Sequence, residues 1–210
     1  APSGPLANQS KRLLNRNLKY ILGTWMPRCF GNQSQTSAID PRGNAERNIR
    51  PLAMAAHGLA IALKTSAYDA AITGISRADA LETARRIVVG LATMHKANSS
   101  SKHAWGKQWQ SSMWTYYVGL AGWLLYDNLT PAERQEVARM VADEAAYTQA
   151  IKNESGLGFM YTAEGKLLTP GNSQAEEDAW NSMVPTLAAM MLPNSSDALT
   201  WRKTGMAYAL

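Results

Sequence analysis

Cysteine is almost missing from this chain: Cys29 is alone among 210 residues. A single thiol excludes an intramolecular disulfide framework and any all-cysteine zinc site. Histidine is nearly as scarce. His57, His95 and His103 are too far apart in sequence to form a local metal motif, so neither a metal nor any other cofactor is expected. No stretch approaches the ~18 uninterrupted apolar residues that a membrane span needs, and no membrane partner is expected. There is no run of five basic residues, which argues against a nucleic-acid arm and against nucleic acid as a partner. Gly-x-Ser-x-Gly, a phosphate loop and a dinucleotide fingerprint are all absent. The alternating pattern of strands is almost absent too.

What remains is a chain with 46% hydrophobic and 18% charged residues, enough apolar material for a core and too little charge for disorder. The net charge of +5 hides an asymmetry. Residues 1–105 carry 14 Lys/Arg against 5 Asp/Glu, and residues 106–210 carry 7 against 11. A basic half implies an anionic partner. Six Asn-x-Ser/Thr sequons, at Asn8, Asn32, Asn98, Asn128, Asn153 and Asn194, fit a secreted glycoprotein, so an extracellular location is expected. The start, Ala1-Pro2-Ser3-Gly4, reads as a processed or excised chain.

Apolar residues recur at helical spacing throughout, and the breaks carry cap chemistry. The pattern predicts helices over about 7–25 (ended by Pro27), 45–66, 77–97, 106–127, 131–153, 173–192 and from 196 onward. Residues 27–43 are expected to form a long polar loop of the functional or mobile kind. Ser76 is expected to cap the helix at 77–97, with Asp79 in its first turn, and Thr130-Pro131-Ala132-Glu133 is a strong helix start. Glycines around 156–171 suggest a small hairpin at 158–168. The reading is one all-α domain over 1–210, made of antiparallel helical hairpins. The final helix has no glycine cap, so the chain is expected to be one piece of a larger protein.

Two segments stand out chemically. The first runs from His103 through Trp105, Lys107, Trp109, Gln110, Trp114 and Tyr116 to Tyr117. Its aromatic rings offer platforms for the C–H faces of sugars, and its polar tips can bond hydroxyls and acid groups. The alternative is a packed core stripe, the expected role of Trp123. The second is Glu176-Glu177-Asp178-Ala179-Trp180-Asn181. Acids in a first helical turn complement the helix dipole, and Ser173 with Glu176 makes a capping box. Asn181 inside an otherwise apolar helix needs a partner or a ligand. Arg47 and Arg50 open the second helix, facing either an anionic substrate or solvent. His57 reads as a core histidine, and His95 suits a helix C-terminus.

Together, Trp109-Gln110-Ser111 through Val118 to Asp127, Arg139 through Ala145, and Gly171-Asn172-Ser173 through Asn181 resemble the helical domain of heparinase II/III-like toroidal polysaccharide lyases. The family motif reads Glu-Glu-Asn-Ala-Trp-Asn, so Asp178 stands where it carries asparagine. The resemblance implies a partial (α/α) toroid, often followed by a β-sandwich domain. It also implies cleavage of a uronic-acid polysaccharide by β-elimination. In that chemistry Asn181 and Gln110 would neutralise the uronate, with Arg50 assisting. His103, Tyr116 or Tyr117 would move the protons. Trp105, Trp109 and Trp180 would be platforms, with Lys107, Glu177 and Asp178 also at the substrate. Two alternatives stay open: a glycoside hydrolase using Glu177 or Asp178 as acid, and a non-catalytic carbohydrate-binding or scaffold domain.

Overall fold

The computed structural model describes residues 4–150 and 175–209. Among these residues the fold is all-helical, and the sole β-type pairing is an isolated bridge between His95 and Trp105. The expected hairpin at 158–168, Ser173 of the expected capping box and the sequon at Asn153 lie outside the described residues.

Helix α1 (Pro5–Tyr20) continues through a π-helical turn at 21–25 into α2 (Met26–Phe30), so Pro27 does not end it. Pro27 comes just after the π-helical turn, where the Met26 N–H reaches back to Ile21 O. Asn15 locks α1 in place. Its buried amide donates to the carbonyls of Lys11 and Ala67, both at 2.8 Å, and its Oδ1 accepts from the Asp69 N–H at 2.8 Å. Helix α3 (Glu46–Lys64) runs through Pro51, which lies in its second turn. A short α4 (Ala70–Thr73), not expected from periodicity, is capped by Asp69, whose carboxylate accepts from Ala71 N–H at 3.0 Å. Helix α5 (Arg77–Thr93) is capped by Ser76, as expected, through a 3.0 Å bond from Asp79 N–H.

The polar stretch before α3 is not a loose loop. Gln33 clasps the backbone of Asp40, donating to its carbonyl at 3.1 Å and accepting from its N–H at 2.7 Å. Arg86 of α5 donates to the carbonyls of Thr36 and Gln33. Ile39 is buried and donates its N–H to Arg86 O at 3.0 Å. Its backbone lies so close to α5 that a Cβ built on Gly90 would fall 1.9 Å from Ile39 O. Only glycine fits there.

Helix α6 (Ser111–Leu124) starts five residues later than 106. Gly106 (φ 107°) and Lys107 (φ 55°) are both in the left-handed region, which a helix cannot include. Helix α7 (Pro131–Ala150) opens with the expected capping box: Glu133 accepts from Thr130 N–H at 2.8 Å, and Thr130 Oγ1 accepts from Glu133 N–H at 3.3 Å. Helices α8 (Ala175–Met191) and α9 (Ala198–Ala209) complete the described fold.

The packing is sequential. α3 packs on α5 and α6, α6 on α7 and α8, α8 on α9, and α5 on α7. Leu52, Leu59, Ile87, Leu91, Val118, Met140, Val184 and Leu187 are buried between them. Each such side chain contributes roughly 1.5–3 kcal/mol relative to exposure. Alanines 53, 56 and 60 let α3 approach its neighbours closely. Among the described residues no helix is long and apolar enough to cross a membrane.

Candidate functional site: the polar end of the bundle

The two chemically rich segments meet. The loop before α6 and the first turns of α8 lie at the same end of the bundle, where Ser112 Oγ donates to Trp180 O at 3.1 Å. The Trp109 ring stands edge-on to Trp180 with centroids 5.9 Å apart. The loop before α3 joins them through Asn44, whose amide reaches Lys102 O at 3.5 Å. The N-termini of α3, α6 and α8 therefore share this end. Their dipoles place partial positive charge there.

A closed hydrogen-bond network underlies the surface. Glu144, on α7, is fully buried, and its carboxylate accepts from His95 Nε2 at 3.1 Å, from the Lys107 N–H at 3.0 Å and from Ser111 Oγ. His95 Nδ1 accepts from the Ala97 N–H at 3.1 Å, which leaves the ring proton on Nε2, facing Glu144. The positive φ at Gly106 folds the chain over this ring. A Cβ at that position would fall 2.2 Å from His95 Nε2. Sequence reasoning missed this centre. Its members are 49 and 33 residues apart, and Glu144 looks like one more charge on a helix.

Trp105 belongs to this foundation and not to the surface. It is fully buried, its indole N–H donates to Leu91 O at 2.8 Å, and its ring meets His95 edge-on at 4.8 Å. As sugar platforms, Trp105 and the likewise buried Trp180 are both corrected to core residues, because neither ring offers a face to solvent. Trp123, read as core, is instead partly exposed.

The loop before α6 and the first turns of α8 also carry buried polar atoms without partners among the described residues. Among those residues, Gln110 Oε1, Asp178 Oδ1, Asn181 Nδ2 and the indole N–H of Trp180 make no hydrogen bond, although all four residues are buried. Native interiors leave few such atoms, and each is costly unless something completes it. Burial, with Glu177 adjacent, pushes the Asp178 carboxyl up to about 6. Tyr208 of α9 donates its hydroxyl to Thr148 O at 3.1 Å. Burial, Asp178 and Tyr147 together hold its phenol well above the ordinary range. Tyr147, half-buried, is raised by burial and by Glu144. Lys107 pairs with Asp143 at 2.9 Å on the same side. Tyr208, Tyr147 and Asp143 were not singled out from sequence; each needed the packing of α7 and α9 to become visible.

The other expected residues divide. Trp109 is 55% exposed and free to stack on a ligand. Glu177 is half-buried beside Asp178. His103 is exposed. Arg50 is paired with Glu46 at 2.8 Å. Tyr116 and Tyr117 form a separate cluster with His57 on the α3–α6 contact; the His57 and Tyr117 rings are 4.9 Å apart. Burial lowers the His57 pKa, as suits a packed neutral imidazole. No group of three His, Cys, Asp or Glu suited to a metal ion occurs among the described residues. Comparison with protein-family models, with curated proteins and with solved structures gives no match.

Proposed function

We propose that this chain is the helical part of an extracellular enzyme that cleaves an anionic, uronic-acid-containing polysaccharide by β-elimination at the polar end of the bundle. In this reading the chain forms a partial (α/α) toroid like that of heparinase II/III-like lyases. The support for the ring is the order of packing, in which the first helices of successive hairpins, α3, α6 and α8, lie side by side. The observation that carries the function is the contact between the loop before α6 and the first turns of α8, made by Trp109 with Trp180 and by Ser112 with the Trp180 carbonyl, which brings Gln110, Asp178 and Asn181 to one end of the bundle.

The chemistry follows from those groups. The proton on carbon 5 of a uronate becomes removable only when the neighbouring carboxylate is neutralised. Asn181 Nδ2, a buried donor without a partner, suits that carboxylate, and the helix N-termini add to it. Asp178, ionised above about pH 6, accepts the proton. The C–H electrons form the C4–C5 double bond, and the C4–O bond breaks. Tyr147, its phenol kept protonated, returns a proton to the leaving oxygen. The proton-moving roles given to His103, Tyr116 and Tyr117 pass to Asp178 and Tyr147, and Trp109 is the platform. Lys107 and Arg50, each already paired with a carboxylate, are given no role in the step.

The raised Asp178 also favours a second reading, a glycoside hydrolase with Asp178 as general acid and Glu177 beside it. The two readings give opposite pH profiles. Elimination needs Asp178 ionised, so activity climbs as pH rises through about 6; hydrolysis needs it protonated, so activity falls there. The direct test is an assay of the chain on polygalacturonate, alginate, heparin and chondroitin sulfate, read by the ultraviolet absorbance of unsaturated ends. Turnover is expected, reduced on the order of 10²–10³-fold in Asn181→Ala. Saturated ends would replace elimination with hydrolysis. Binding with no turnover on any polymer would leave a carbohydrate-binding module.

A further inference from the structure

The acid-free N-terminal segment is the second anomaly of this chain. Residues 1–39 contain Lys11, Arg12, Arg16, Lys19 and Arg28 and no aspartate or glutamate. On α1, Arg12, Arg16 and Lys19 follow one another at spacings of four and three, which puts them on a single stripe. All three are exposed, and among the described residues none forms an ion pair. Beside that stripe runs a second one. Leu6, Leu13 and Tyr20, seven residues apart, are 77%, 60% and 58% exposed. A groove of about 440 Å³ bounded by Asn8, Gln9, Arg12, Leu13 and Arg16 joins the two.

The helix cannot rotate to hide the leucines. Asn15, bonded to Ala67 and Asp69, and the buried Leu18 fix its opposite face against the rest of the fold. We infer that this face of α1 is an interfacial surface that seats the protein on an anionic lipid bilayer, with Leu6, Leu13 and Tyr20 entering the headgroup region and Arg12, Arg16 and Lys19 meeting the lipid phosphates. Charge selects an anionic partner, and the leucines select lipid over a soluble polyanion. Two aliphatic side chains gain nothing from the hydroxyl-rich face of a polymer, whereas they gain apolar burial at an acyl boundary. The expectation of no membrane partner, drawn from the lack of a spanning segment, is revised to a surface association. It is independent of the chemistry proposed for the polar end.

The test is co-sedimentation with vesicles of phosphatidylcholine alone or with one third phosphatidylserine. The protein is taken from a non-glycosylating host, because Asn8 borders the groove. Binding to the anionic vesicles only is expected, weakening as salt rises. Arg12→Gln with Arg16→Gln is expected to weaken it roughly fivefold for each charge removed. Leu6→Ser with Leu13→Ser is expected to weaken it at least tenfold while leaving the circular dichroism unchanged. Three results would overturn the inference: no vesicle binding, equal binding to both vesicle types, or binding untouched by the leucine substitutions. Capture of soluble polygalacturonate through Arg12 and Arg16 without vesicle binding would also overturn it, and would assign the face to a polymer.

Discussion

Glu144 and Asp178 are two buried carboxylates at the same end of one helical bundle, and their surroundings are opposite. Glu144 accepts from an imidazole, a backbone N–H and a hydroxyl. Asp178 has an oxygen with no partner, an acidic neighbour in Glu177 and a pKa pushed up to about 6. A buried carboxylate supplied with donors behaves as part of the scaffold. One left without them stores an unfavourable charge, which is how proteins hold acid–base groups ready for use. The difference separates the satisfied layer of this end, built from His95, Trp105, Gly106, Ser111 and Glu144, from the residues that the proposed chemistry uses.

The comparison can be broken most forcefully at Glu144. His95→Ala removes one donor and leaves a buried carboxylate undercompensated, and should cost about 3–5 kcal/mol in chemical denaturation. A loss under 1 kcal/mol would mean the network is not structural. Gly106→Ala puts a methyl against the same imidazole and forces a left-handed backbone on a residue that resists it. About 2–4 kcal/mol is expected by the same measurement.

Asp178→Asn should act in the other direction. Asp178 has a folded-state pKa of about 6 against 3.8 when unperturbed, so the folded chain binds more protons than the unfolded one between those values. Its contribution is therefore fully present below about pH 4 and is lost as pH rises through about 6. The variant should melt a few degrees higher than the parent at pH 7 and at the same temperature at pH 4. Equal melting at both pH values would contradict the raised pKa. The smallest stability change belongs to Trp109→Ala, within about 0.5 kcal/mol because the ring is largely exposed. The same variant should bind oligosaccharide at least tenfold more weakly by titration calorimetry.

The helices were legible because periodicity and caps are local. Ser76 with Asp79 and Thr130 with Glu133 mark real starts. The start of α6 was misread because the aromatic pattern from Trp105 onward is helical in spacing, while the backbone at Gly106 and Lys107 is left-handed. The stretch before α3 reads as a loose loop because its composition is polar. The bonds that fix it come from Arg86, about 50 residues away. The same limit governs the site. Trp109, Gln110, Trp180 and Asn181 were visible as residue types out of place, whereas Tyr147, Tyr208 and Glu144 depend on which helices become neighbours. Trp105 carries the same sequence signal as Trp109, and only burial tells them apart.

The close approach of Ile39 to Gly90 makes the segment before α3 and helix α5 a single opening unit. The amide proton of Ile39, bonded to Arg86 O, can reach solvent only when that strap lifts from the helix. In native-state hydrogen exchange it should belong with the slow amides of α5 and not with those of surface turns, and any change that loosens α5 should speed it in proportion. A stretch with the composition of a linker would then report, through one slow proton, on the opening of the helix beneath it.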